Sequence, residues 1–214
     1  MKRRRLVFAF RTCIAILAWF ALILQLLILV NNTPGNGLTP WQAVARFFIF
    51  FTILSNLLVA LSLSSILMIP HSAAGRFFSK PFSETAVAVY IFVVGLVYNL
   101  ILRSLWKPTG LQLVADELLH VAIPVLYLIY WICFVSKVSL KWRYSFDWLL
   151  FPFFYLIYAL IRGSVEGFYP YPFLDLEKLS GNRVFLNCLG LTGVFFVIGL
   201  LFIAFGKAIS RQNE

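Results

Sequence analysis

Six apolar runs, each near the ~20 residues that a bilayer's hydrocarbon core demands of a helix, recur along a chain of 214 residues. Lipid offers no partner to a backbone N–H or C=O, so a segment that crosses it alone must bond internally, as a helix does. The runs lie at roughly 6–31, 41–68, 85–105, 113–135, 146–162 and 184–206. The connectors between them are short and leave no room for a separate soluble domain. The expectation is one all-α domain over residues 1–214: a polytopic membrane protein with six transmembrane helices in one bundle.

Charge refines this reading. Apolar residues make up 62% of the chain and charged ones 12%, yet the net charge is +10. The basic residues are scattered between apolar runs instead of lining one groove, which excludes a nucleic-acid partner and points to membrane orientation. The side that includes the N-terminus holds Lys2, Arg3, Arg4, Arg5, Arg76, Lys80, Lys137, Lys141, Arg143, Lys207 and Arg211. The other side holds only Arg103, Lys107, Arg162, Lys178 and Arg183. Both termini are therefore expected in the cytoplasm. MKRRR and the long apolar run after it have no small-residue cleavage site, so an uncleaved first span is expected. Trp41 and Trp106 are expected in the outer interfacial belt, and Trp131, Trp142 and Trp148 in the inner one.

Thr39-Pro40 predicts an N-cap followed by proline at the first helical position. The long connector GSVEGFYPYPFLDLEKLSGNR is too rich in Pro and aromatics for a plain helix and is expected to fold back over the membrane surface. Cys13, Cys133 and Cys188 fall inside apolar runs and read as packing residues.

Polar groups in the spans are few, and an intramembrane ionisable residue is a functional-site hypothesis by default. At ~1.5 Å per residue, Thr52 lies about 16 Å into the second span and His120 about 10 Å into the fourth. A hydroxyl and a histidine at similar depth are the parts of a nucleophile–base pair. Arg46, Ser55, Asn56, Asn99, Arg103, Asp116, Glu117 and Asn187 fall in the same outer half, which predicts a polar cavity there. Thr52 and Asn56 are i, i+4, as are Asp116 and His120, with Glu117 at i, i+3 and Tyr127 two turns further on. Asp116 or Glu117 is placed to orient the imidazole. Asn56 or free backbone N–H groups are placed for an oxyanion, and Arg46 or Arg103 for a free carboxylate. Glu117-x-x-His120 is also half of a di-metal carboxylate spacing, but no second copy occurs and His71 is in a loop. Neither metal nor cofactor is expected.

Three stretches carry a resemblance: Phe-Phe-Thr-Ile-Leu-Ser-Asn-Leu-Leu at 50–58, His120-x-x-x-Pro124, and Tyr-Pro-Tyr-Pro-Phe-Leu-Asp at 169–175. Together they resemble the bacterial branch of the androgen-induced-protein-like integral membrane proteins. The animal members are six-span hydrolases of fatty acid esters of hydroxy fatty acids that use an intramembrane threonine and histidine. The resemblance implies catalytic Thr52 and His120, a lipid or fatty-acyl ester substrate, and a place in a bacterial cytoplasmic membrane. The same polar layer also fits a proton- or ion-coupled small-molecule transporter, or a lipid-binding scaffold whose polar residues tie helices together.

Overall fold

The computed structural model describes residues 2–105 and 107–211. Six helices are long and apolar enough to cross a membrane. We number the helices α1 (Lys2–Asn31), α2 (Pro40–Phe47), α3 (Phe51–Met68), α4 (Pro81–Leu105), α5 (Gly110–Phe134), α6 (Tyr144–Glu166) and α7 (Gly181–Arg211). A helix long enough to span lies in each of the six expected runs; five keep their ends to within a few residues, and the second starts at Phe51 instead of 41.

α4 is the hub. Its apolar stretch is 61% buried, against 28% for α1, α6 and α7, so the bundle is built around it. Residues 86–91 read Ala-Val-Ala-Val-Tyr-Ile and are buried on consecutive positions all round the helix, the signature of a helix enclosed by neighbours. α1, α3 and α5 pack with α4 as an inner group, and α7 closes its remaining side.

The second apolar run is not one helix. The chain turns at 48–50 and restarts at Phe51. Thr39 caps α2 in a full capping box with Gln42, as the Thr-Pro pair predicts. α3 begins instead at Phe50, which offers no side-chain cap. No glycine or proline marks the break; Tyr155 Oη holds it by donating to the Ile49 carbonyl at 3.0 Å.

Two further irregularities interrupt α4 and α5. Tyr98–Leu102 and Leu118–Ala122 are π-turns, with Arg103 N–H donating to Tyr98 O and Ile123 N–H to Leu118 O. Such widened turns are rare and concentrate at functional sites. Each widens the helix by one residue, and Tyr127 still turns toward the helices that His120 faces, α3 and α4. Its hydroxyl donates to the Glu84 carbonyl, 3.4 Å away.

The aromatic belts hold only in part. Trp41 and Trp142 are exposed, but Trp131 and Trp148 are buried within the bundle, where Trp131 Nε1 donates to Thr85 Oγ1 at 2.9 Å. Trp106 lies outside the described residues. The long connector does fold back, but deeper than a surface strap: Leu174 is fully buried and Tyr171 nearly so. Asn187 Nδ2 pins it through the Phe173 carbonyl at 2.8 Å.

At the end of the bundle that includes the N-terminus, Arg11 and Glu84 form a buried ion pair at 3.1 Å. Arg11 Nε donates to Tyr130 Oη at 2.7 Å, and Tyr130 Oη donates to Glu84. Removing one member leaves an uncompensated charge in an apolar setting. Glu84→Ala is expected to destabilise by about 3–5 kcal/mol, read as a lower unfolding midpoint in detergent. Replacing both residues by apolar ones of similar size is expected to recover most of that loss.

Candidate functional site

The break before α3 puts Thr52 in the first turn of a helix. The widened turn in α5 puts His120 opposite it. Thr52 Oγ1 lies 3.3 Å from His120 Nε2. On the far side of the ring, Nδ1 is 2.9 Å from the Asp116 carbonyl oxygen and 3.3 Å from Asp116 Oδ1.

This pattern fixes the tautomer by elimination. A carbonyl oxygen can only accept, so Nδ1 carries the hydrogen and donates it to Asp116 O. In the neutral ring Nε2 is then left with its lone pair. That lone pair faces the Thr52 hydroxyl, which donates to it. The order is hydroxyl, imidazole, acid.

Tyr98 completes the chain. Its hydroxyl donates to Asp116 Oδ2, and its ring stacks on the His120 imidazole at 3.9 Å between centroids and 16° between planes. The imidazole is thus fixed by a ring face and by both the backbone and side chain of Asp116. Thr52 and Asp116 are buried, and His120 is half-buried.

The other expected site residues divide by position. Asn56 is fully buried, and its Nδ2 donates to Thr52 O at 2.9 Å and Leu119 O at 3.2 Å. It ties the backbones of the two site helices together, and its amide donors point at carbonyls instead of the Thr52 hydroxyl. Ser55 is buried beside it, with an Oγ that finds no partner. Asn99 is exposed; its Nδ2 donates to Gly95 O at 2.7 Å and reaches the His120 carbonyl at 3.4 Å. Glu117 is drawn away from His120 by Arg103, 2.6 Å distant, at a half-exposed ion pair. Arg46 does not line the cavity; it stacks on Phe168 of the long connector, 4.5 Å from the ring centroid. Neither arginine expected for a carboxylate is therefore free at the Thr52–His120 pair. Among the described residues, no three His, Cys, Asp or Glu side chains gather as metal ligands do.

Two spaces meet at Thr52. A cavity of about 490 Å³ is lined by Thr52, Asp116, His120 and Tyr98, by apolar Leu29, Phe47, Phe50 and Ile53, and at its polar side by Gln25, Asn32 and Gln112. Gln25 and Gln112 exchange amide hydrogen bonds at 2.8 and 3.4 Å. A narrower cleft of about 50 Å³ runs the other way among Val93, Val94, Val97, Leu156, Leu191 and Phe195. Thr52, Tyr98, Leu102 and Tyr171 border both.

Sequence reasoning missed Tyr98, Tyr171 and the two glutamines. Tyr171 belongs to the Tyr-Pro-Tyr-Pro-Phe stretch and lies against the start of α3. Burial pushes its phenol up, while the Thr52 side chain and the amides of Phe51 and Thr52 pull the other way. Those first-turn amides have no carbonyl of their own helix to serve. The detectable signal was Tyr98-Asn99, a polar pair inside an apolar span, and Gln25 inside another.

Fold and site together define a multi-pass integral membrane protein with a polar site buried at one end of its helical bundle. Compared with family models, curated proteins and solved structures, the chain finds no match.

Asn56→Ala removes the side-chain bridge from α3 to the widened turn of α5. The expected outcome is a loss of about 1–3 kcal/mol, seen as a lower unfolding midpoint in detergent, because two buried carbonyls lose their donor.

Proposed function

We propose that this protein is an intramembrane hydrolase of lipid esters, with Thr52 as nucleophile and His120 as general base. The observation that supports it best is the ordered chain Thr52–His120–Asp116–Tyr98 at the junction of two spaces. His120 Nε2 takes the proton as Thr52 Oγ1 attacks the ester carbonyl. Asp116 and Tyr98 hold the ring and favour the imidazolium that forms. The same imidazolium then protonates the leaving alcohol, and water hydrolyses the acyl-threonine in the second half. The 3.3 Å separation is on the long side, as is common before substrate closes the geometry.

The substrate follows from the walls. The larger cavity is within the range of small-molecule sites and mostly apolar, and Gln25, Asn32 and Gln112 add polar groups beyond the Thr52–His120 pair. A fatty-acyl ester whose second arm carries a polar end fits this division, with an ester of a hydroxy fatty acid as the type suggested by the resemblance of residues 50–58, 120–124 and 169–175. The Gln25–Gln112 amides replace Arg46 and Arg103 as the groups offered to that end. With the N-terminus in the cytoplasm, as the Lys/Arg distribution predicts, the cavity opens toward the outer leaflet of a bacterial cytoplasmic membrane.

A fluorophosphonate probe tests the assignment. Labelling is expected in the unaltered protein and lost in Thr52→Ala and His120→Ala. Asp116→Asn is expected to slow labelling by about 10²-fold or more, since the ring loses the acid that supports its charged form. Unchanged labelling in the Thr52 and His120 variants would overturn the proposal.

A second reading, a proton-coupled carrier, draws on the break at 48–50, because carriers build sites at interrupted helices. It requires pH-dependent flux in proteoliposomes that is lost in His120→Gln.

A further inference from the structure

The opposite end of the bundle holds a second groove, of about 420 Å³, walled by α1, the end of α3 and the end of α5. Arg4, Phe8 and Arg11 stand at i, i+4 and i+7 on one face of α1, and Arg3 joins them. Leu67 and Phe134 form the facing apolar wall. Among the described residues, no acidic side chain lines the groove. Glu84, which pairs with Arg11 at its inner end, is already bound by Arg11 and Tyr130. Arg3 and Arg4 make no ion pair among the described residues.

The charge gradient along the groove is what identifies its occupant. Arg3 and Arg4 sit at the very start of α1, at the mouth. Arg11 lies about two turns, or ~10–12 Å, further in, past an exposed Phe8. A small free anion would fill only the mouth and leave the apolar walls against water. An amphiphile with an anionic head and an acyl tail fills the whole length.

We propose that this groove binds an anionic phospholipid, its phosphate held by Arg3 and Arg4 at the mouth and its chain laid inward along Phe8, Leu67 and Phe134. Basic pockets between transmembrane helices recognise such headgroups, with about 1 kcal/mol from each Lys or Arg near the surface. The phosphate supplies the counter-charge that Arg3 and Arg4 lack among the described residues. The site is independent of the Thr52–His120 pair, at the other end of the bundle.

The test is thermal unfolding of the full chain in detergent, titrated with phosphatidylglycerol, phosphatidylcholine or inorganic phosphate. Phosphatidylglycerol is expected to raise the unfolding midpoint saturably, and the other two to leave it in place. Arg3→Gln with Arg4→Gln is expected to weaken the apparent affinity about tenfold or more, without moving the lipid-free midpoint, because neither residue has an ion-pair partner to lose. Phosphatidylcholine matching phosphatidylglycerol would overturn the role of charge. Inorganic phosphate giving the same shift would overturn the lipid in favour of a free anion. An unchanged titration in the double variant would overturn the site itself.

Discussion

The hydrogen bond from His120 Nδ1 to the Asp116 carbonyl is the contact on which the geometry of the polar site, and the hydrolase chemistry proposed for it, depends. It links two groups of one helix, so it needs no partner element to exist. It sets which nitrogen carries the hydrogen, and thereby turns the other nitrogen into an acceptor aimed at Thr52. The Asp116 carboxylate then answers the positive charge that appears when that acceptor takes a proton. Tyr98 holds the carboxylate and covers the ring. Each link gives the next one a single sensible state, which is how a polar chain avoids disorder in an apolar surrounding.

That geometry depends on three places where the helices are irregular. Without the break at 48–50, Thr52 would lie mid-helix, with its amide bonded to the carbonyl four residues back. With the break it sits in a first turn, beside free amides and the Tyr171 phenol. The widened turns at Tyr98–Leu102 and Leu118–Ala122 face each other across α4 and α5, and each holds one of the two stacked rings. Regular helices would bring neither pair together. Loose backbone at membrane depth is tolerated only where protein or a cavity satisfies it. Here Tyr155, Asn99 and Asn56 do so, through the carbonyls of Ile49, His120 and Leu119.

Much of this was legible in the sequence, because hydropathy and charge act over long windows. Six helices, their order and the juxtaposition of Thr52 with His120 all follow from run lengths and depth. The Asp116–His120 contact follows from i, i+4 spacing, which survives because both residues sit at the start of the widened turn. Glu117 was misassigned because spacing shows which side chains share a face, and nothing about the arginine on the next helix that competes for one of them. The break before Phe51 left no mark, since its turn is made of Phe, Ile and Phe and held by a tyrosine a hundred residues away.

The two polar clusters of the bundle obey opposite rules. Near the N-terminal end, Arg11, Glu84 and Tyr130 neutralise one another and leave no titratable group of that cluster facing an open hydroxyl. At the other end His120 Nε2 meets the Thr52 hydroxyl instead of a charge, and Thr52 opens onto two spaces. A satisfied network ties helices together and needs nothing further. On the proposed hydrolase reading, the Thr52 cluster gains from its open spaces a place for a reacting group that a substrate completes, which the ion-paired cluster lacks.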